Sequence, residues 1–360
     1  AMYSGDVLVP LLIGHYLHFS ALQMTYLVSI DIFMCGVATL LQLKQTPLTG
    51  IGLPVVLGCA VQAVTPLESI GGKLGITYMY GAIIAAGIFV FLIAGFFARL
   101  KRFFPPVVTG SLITIIGFTL VPVGFQDLGG GPPTAASFGN PTNLLVGFLT
   151  IIIILVISAF ARGFMKSIAI LIGILVASFI AGGLGQVSLT PVSEAAWFHT
   201  PQLFFFGVPH FNLSAMITMM LVSLTTMIES TGVFFALSDI TGRQLTTKGL
   251  ERGYRAEGIA AVLGGLFNTF PYSTFSENVG VLKIRRPVYY AAFLLLLLGL
   301  LPKVGALATV IPEPVLGGAM IVMFGMVGVQ GVQILHKVDF TKNSNLLTAS
   351  VSIGLGLGIT

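Results

Sequence analysis

The chain has 360 residues, 56% of them hydrophobic and only 8% charged, with 44 glycines. A soluble domain carries about a quarter charged residues, so a water-soluble globular protein is excluded. The formal charge of +5 is scattered over short loops, which argues against a nucleic-acid partner.

Apolar stretches near the roughly 20 residues that a helix needs to cross a bilayer recur along the chain, as in "MYGAIIAAGIFVFLIAGFFA" (79–98) and "LLVGFLTIIIILVISAFA" (144–161). The composition therefore predicts an all-α polytopic membrane protein. In chain order the spans fall at 3–14, 21–43, 50–66, 77–98, 105–124, 143–161, 166–184, 212–238, 256–268, 271–284, 288–309, 312–334 and 346–360. The first and last are partial. Ala1 and Thr360 lie within apolar sequence, so a longer parent chain is expected. Cys35 and Cys59 both sit in apolar runs and read as small packing residues.

The basic residues orient these spans. Lys44, Arg99, Lys101, Arg102, Arg162, Lys166, Arg243, Lys248, Arg252, Arg255, Lys283, Arg285, Arg286, Lys337 and Lys342 follow or end even-numbered spans, and only Lys73 and Lys303 do not. The positive-inside rule then places the loops after even-numbered spans in the cytoplasm. The loops 125–142 and 185–211, nearly free of charge, are expected outside.

Two segments repeat. "PPVVTGSLITIIG" (105–117) superposes on "EPVLGGAMIVMFG" (313–325) without a gap, Gly110 meeting Gly318 and Gly117 meeting Gly325. They begin spans five and twelve at opposite membrane faces, so the second copy is inverted. Inverted repeats are a signature of secondary transporters. The same offset pairs span three with span ten. The stretch 46–72 around span three carries Pro47, Gly50, Gly52, Pro54, Gly58 and Pro66, and that around span ten carries "FPYSTFSENVGVLKI" (270–284). Both are too rich in breakers for continuous helix. Paired interrupted spans point to a transporter's binding site. An ordinary kinked helix is the competing reading, and it is weaker for span ten because of Glu277 and Asn278. A half-helix starting near Ser276 would aim free N–H groups at a ligand.

The remaining acids divide. Glu229 lies deep in span eight, where a carboxylate costs about 2.5–3.5 kcal/mol on insertion scales and is functional by default; the alternative is a packed carboxyl bonded to Ser or Thr. Glu257 begins span nine beside Arg255, where a helix cap and charge partner is the plain reading. Asp6 and Asp31 stay open between structural and functional roles, and Glu313 reads as structural. His15, His18, His199 and His210 fall at external ends or loops and His336 at an internal end. They suggest no metal site, and no metalloprotease, serine-hydrolase or phosphate-loop motif occurs. A membrane-embedded enzyme is therefore not expected.

"NTFPYSTFSENVG" (268–280), "IESTGVFFAL" (228–237), "RAEG" (255–258) and "MYSGDVLVPLLIG" (2–14) together resemble the nucleobase–ascorbate transporter family, most closely its bacterial xanthine and purine permeases. The resemblance runs the length of the chain. It departs from the family at Arg285, where Thr is the rule, at Val233, where many relatives carry a polar residue supporting the glutamate, and over most of the last two spans.

The resemblance implies fourteen spans in two inverted seven-span repeats, with short strands in spans three and ten. It implies a core domain from 1–104 and 212–311 and a gate domain from 105–211 and 312–360. Carried over, Glu229 and Glu277 are substrate ligands, the backbone at Val61 and Ser276 touches the base from strand positions, and Glu257 and Asn278 support the site or its coupling. The expected activity is proton-coupled import of a purine, xanthine first and uric acid next, across a bacterial cell membrane by alternating access. The proton serves as coupling ion, Glu229 as its carrier, and no cofactor or metal is expected. Expected partners are a small nucleobase and the lipid bilayer, with a homodimer through the gate domain. A uracil or pyrimidine permease is the alternative, as is an anion carrier of the same architecture, which two glutamates in the site disfavour.

Overall fold

The computed structural model describes residues 2–100, 105–131, 133–134, 137–162, 164–275 and 285–358. In chain order the elements are α1 (Met2–Tyr16), α2 (Ala21–Leu43), β1 (Leu57–Cys59), a 3-10 turn (Val61–Ala63), α3 (Val64–Leu74), α4 (Ile76–Arg99), α5 (Pro106–Leu128), α6 (Pro141–Phe160), α7 (Phe164–Ser167), α8 (Ala169–Gly183), α9 (Thr190–Glu194), α10 (Leu213–Thr241), α11 (Thr247–Leu266), β2 (Tyr272–Thr274), α12 (Arg285–Gly299), α13 (Pro302–Thr309), α14 (Glu313–Leu335) and α15 (Asn343–Gly358).

Among the described residues, α2, α4, α5, α6, α10 and α14 are each long and apolar enough to cross a membrane. Helices α12 and α13 supply a seventh as a pair bent by 86°, where Pro302 opens the second piece. Shorter apolar helices cover Asp6–Tyr16 and Ala169–Gly183. The chain is a polytopic membrane protein built of helices. Span three is broken as its prolines and glycines require: irregular chain, three residues of strand, a 3-10 turn and then α3. Backbone of this kind survives at membrane depth only where protein covers it, and both strands are wholly buried.

Two compact units divide the chain, one from Phe104–Leu189 and Val310–Thr360, the other from Met2–Phe103 and Thr190–Thr309. In the first unit, α5 and α14 are the two repeated segments. Each is 23 residues long and starts on a proline cap, Pro105 or Pro312, in extended conformation with a further proline in the first turn. That placement spares the helix any lost hydrogen bond. The pair lies side by side on small residues: a Cβ built on Gly117 would stand 2.1 Å from Gly328 N, and one on Gly331 2.3 Å from Thr114 N. Small residues at such contacts let membrane helices pack by backbone approach. Val146, Ile154, Ile174, Ala177, Val315 and Ala319 join α6, α8 and α14 in one apolar cluster.

In the second unit α4 and α11 also pack on glycine, a Cβ on Gly87 falling 2.7 Å from Gly258 O. Helix α10 stops at Gly242, whose φ of 66° is the left-handed cap that glycine adopts freely. The stretch after Thr190 belongs to this unit rather than to the first. The Tyr26 hydroxyl donates to Gln202 O at 3.0 Å, the Phe205 ring stacks on Tyr26 at 3.7 Å, and Phe206 N donates to Asn268 Oδ1. A loop rich in phenylalanine and nearly free of charge thus packs onto helix ends. The stacking of Phe205 and Phe206 beside Tyr26 is a feature that loop polarity alone conceals.

Candidate functional site

Helix α10 is capped by Asn212, whose side chain accepts from Ala215 N, and runs uninterrupted through Glu229, Ser230 and Thr231. Successive helical side chains point about 100° apart, so these three reach three different elements. Glu229, 8% exposed, receives a hydrogen bond from Gln62 Nε2 in the 3-10 turn. The Ser230 hydroxyl accepts from Thr274 N of β2 at 3.4 Å and hydrogen-bonds Glu257. The Thr231 and Tyr254 hydroxyls share a 2.5 Å hydrogen bond that ties α10 to α11.

Glu257 stands near the middle of α11, not at its start. The polar stretch before it is helical because Thr246 caps it, accepting from Gly249 N, and because Arg255 pairs with Glu251 at 2.7 Å. Arg255 is thereby committed elsewhere, and the cap-and-partner reading of Glu257 falls. The Glu257 carboxyl instead accepts from Thr274 Oγ1 at 2.8 Å, lies within electrostatic reach of Glu229, and borders a small cavity with Ser223, Thr226, Pro271 and Tyr272.

The two strands carry this site. β1 and β2 pair antiparallel, with Leu57 opposite Thr274, Gly58 opposite Ser273 and Cys59 opposite Tyr272. Val61 opens the 3-10 turn and is not itself in the strand. The ladder ends where Ala60 N bonds Pro271 O, and Ala63 N then folds back to Ala60 O. Val61 therefore sits at the N-terminal end of a helical segment, where the first N–H groups have no intrahelical partner. Ser276, Glu277 and Asn278 lie outside the described residues.

Of the sequence candidates, the structure thus groups Glu229, Glu257 and the Val61 turn within one unit. It adds Gln62, Ser230, Thr274 and Tyr272. Gln62 had a signal, a lone carboxamide in an apolar run, and it gives Glu229 the polar support that the apolar Val233 cannot. Asp31, wholly buried, accepts from Cys59 Sγ at 2.8 Å and from the Tyr272 hydroxyl at 3.0 Å. Asp31, Cys35 and Cys59 place their polar atoms within 4.8 Å of one another, so the cysteines do more than fill space. Both thiols lie within hydrogen-bonding range of the Asp31 carboxylate, an arrangement that satisfies a buried acid.

Carboxyl groups gathered inside a helical membrane unit, beside two spans that give way to short strands, define a membrane carrier. The chain belongs to the Permease family, whose model matches residues 1–360, and the resemblance to nucleobase–ascorbate transporters is borne out. It is 52% identical over 365 residues to the uric acid permease PucK of Bacillus subtilis, covering 100% of this chain and 85% of that one. It is 50% identical to a xanthine permease of the same organism, covering 100% and 83%. In fold it matches the transmembrane domain of a cyanobacterial bicarbonate transporter, BicA, with a TM-score of 0.68 at 15% identity, covering 99% of this chain and 95% of that one. The protein is accordingly a multi-pass transporter of the cell membrane, not an enzyme.

Proposed function

We propose that this protein imports an oxidised purine nucleobase, xanthine first and uric acid next, by proton symport with alternating access. The observation that carries the reading is the convergence on Glu229 and Glu257 of a carboxamide from one broken span and a hydroxyl from the other. The names of the relatives support the substrate class. An oxidised purine presents N–H and C=O groups along its edges. A carboxylate accepts from such N–H groups, and free backbone N–H groups donate to such carbonyls. In this reading Glu229 and Glu277 are the ligands, with backbone N–H groups at Val61 and Ser276, while Glu257 and Asn278 support them. Glu229 takes up and releases the proton.

The repeated prolines and glycines of α5 and α14 support two inverted seven-span repeats. The unit holding Glu229 acts as core and the other as gate, and the gate is the surface for a homodimer. Uptake of labelled xanthine, uric acid and uracil by cells lacking their own permeases tests the proposal. Accumulation of xanthine that an uncoupler abolishes is expected. Preference for uracil, or accumulation that survives the uncoupler, overturns the corresponding part.

A further inference from the structure

The strands that carry the proposed site are three residues long. So short a pair specifies its own register weakly, because few side chains report a slip. Something else must hold Leu57 opposite Thr274 and Cys59 opposite Tyr272. One stripe of α2 meets that requirement. Asp31, Cys35, Thr39 and Gln42 recur at helical spacing on one face of the helix, and all four are wholly buried.

Asp31, Thr39 and Gln42 reach span three directly, and Cys35 joins the stripe through Asp31. Thr39 Oγ1 accepts from Leu57 N at 3.1 Å and lies 3.4 Å from Leu57 O. The Asp31 carboxylate accepts from both members of the opposing pair, Cys59 through one oxygen and Tyr272 through the other. Opposed residues in a strand pair face the same side, so a single carboxylate can read both strands together. Gln42 accepts from Ile51 N at 3.2 Å and donates to Gly253 O at 2.8 Å, holding the entry to span three against α11. The other side of β1 is equally constrained. A Cβ on Gly58 would stand 2.0 Å from the Phe275 ring and 2.3 Å from Asp6 Oδ1.

We propose that this polar stripe of α2 sets the register of β1 against β2, and that Asp31 and Thr39 are positioning residues of the transport site. The proposal rests on the purine-carrier reading for its functional consequence. The chemistry penalises the alternatives. The residues flanking Cys59 are Gly58 and Ala60, neither with a side-chain donor. A slip of β1 by one residue therefore takes the Cys59 donor from Asp31 and offers no other in its place. That slip displaces the 3-10 turn that carries Gln62 to Glu229, and a slip of β2 instead moves Thr274 away from Glu257. The stripe thus acts on both glutamates without touching substrate.

Hydrogen-exchange mass spectrometry of the purified full chain, run beside labelled-xanthine uptake, tests this on Asp31→Asn, Thr39→Val and Thr39→Ser. In Asp31→Asn and Thr39→Val, exchange of the peptide spanning 55–62 should rise about tenfold or more while peptides from α5 and α14 stay unchanged, the pattern of local opening. The uptake KM should rise about tenfold with Vmax little altered, the mark of lost binding geometry rather than lost turnover. Thr39→Ser keeps the hydroxyl and should restore both. Unchanged exchange over 55–62, an unchanged KM, or a Thr39→Ser variant as impaired as Thr39→Val overturns the proposal. If Asp31→Asn loses the fold, which exchange across every peptide reports, the two Thr39 variants decide alone. A wild-type protein that takes up none of the purines overturns the substrate reading separately, since the exchange measurement needs no substrate and judges the stripe by itself.

Discussion

Thr274 donates its hydroxyl to Glu257 Oε1 at 2.8 Å while its backbone N–H reaches Ser230 Oγ. One residue of β2 therefore ties the broken tenth span to α11 and to α10 at once. Thr274→Val keeps the shape and deletes the donor, leaving a buried carboxyl short of a partner. That should cost about 1–3 kcal/mol, seen as a lower melting temperature in detergent and a raised uptake KM. Thr274→Ser should behave as wild type. A Val variant with normal kinetics and stability would show that this hydrogen bond holds nothing.

Gln62 offers a sharper probe, because its carboxamide donates to Glu229 from another element. Gln62→Leu should weaken uptake by removing the group that orients the carboxylate. Gln62→Glu sets a second carboxylate against the first, and two such charges at contact cannot both ionise cheaply. Its uptake should be poor at neutral pH and recover as the pH falls, because one added proton relieves the repulsion. Loss of activity that is independent of pH in Gln62→Glu would place Gln62 away from Glu229 in the working protein.

Glu229→Gln addresses coupling. If Glu229 carries the proton, the amide cannot, and uphill accumulation should vanish. Substrate-driven exchange across the membrane falls less, because the amide still accepts one hydrogen bond. Counterflow and net uptake measured on the same reconstituted vesicles separate the two. A variant that concentrates substrate with the wild-type pH optimum removes Glu229 from the proton path.

Much of this was legible in the sequence, for identifiable reasons. Long helices such as α2 and α4 announce themselves by unbroken apolar length, and their observed ends at Ala21–Leu43 and Ile76–Arg99 lie within a residue of the apolar runs. The break in span three was visible in its prolines and glycines. What hydropathy could not show is where polar side chains point. The start of α11 reads as loop because its helix is made by a threonine cap and an ion pair rather than by apolar residues. That shift of the helix start moved Glu257 from a presumed cap to the interior. Likewise Asp31, Thr39 and Gln42 look unremarkable singly, and only their distant partners Leu57, Cys59, Tyr272 and Gly253 give them meaning.

The repeated segments yield a prediction that the alignment alone gets wrong. Gly117 and Gly325 occupy equivalent places, yet a Cβ on Gly117 meets the Gly328 backbone at 2.1 Å while one on Gly325 meets nothing within 4 Å. Gly117→Ala should force α5 and α14 apart, at an overpacking cost of about 1–3 kcal/mol. Gly325→Ala should be neutral or slightly stabilising, since alanine is favoured over glycine in a helix by about 0.5–1 kcal/mol. Thermal denaturation in detergent distinguishes them, and equal effects would contradict the observed packing.

Glu277, outside the described residues, is tested through substrate choice. The family resemblance puts Gln or Glu at this position. A carboxylate only accepts, so it suits a base that presents N–H groups on the edge it meets, whereas the amide of Glu277→Gln both donates and accepts. The substitution keeps size and should alter the order of preference among xanthine, uric acid and uracil. The preferred ligand should weaken by about 1–3 kcal/mol, the penalty for a mismatched buried polar group. Glu277→Ala should lose binding altogether. Were the side chain only a cap for the following half-helix, glutamine could still accept from backbone N–H groups and the order would stand. Competition uptake normalised to surface expression decides, and an unchanged order with both variants active takes Glu277 out of the site.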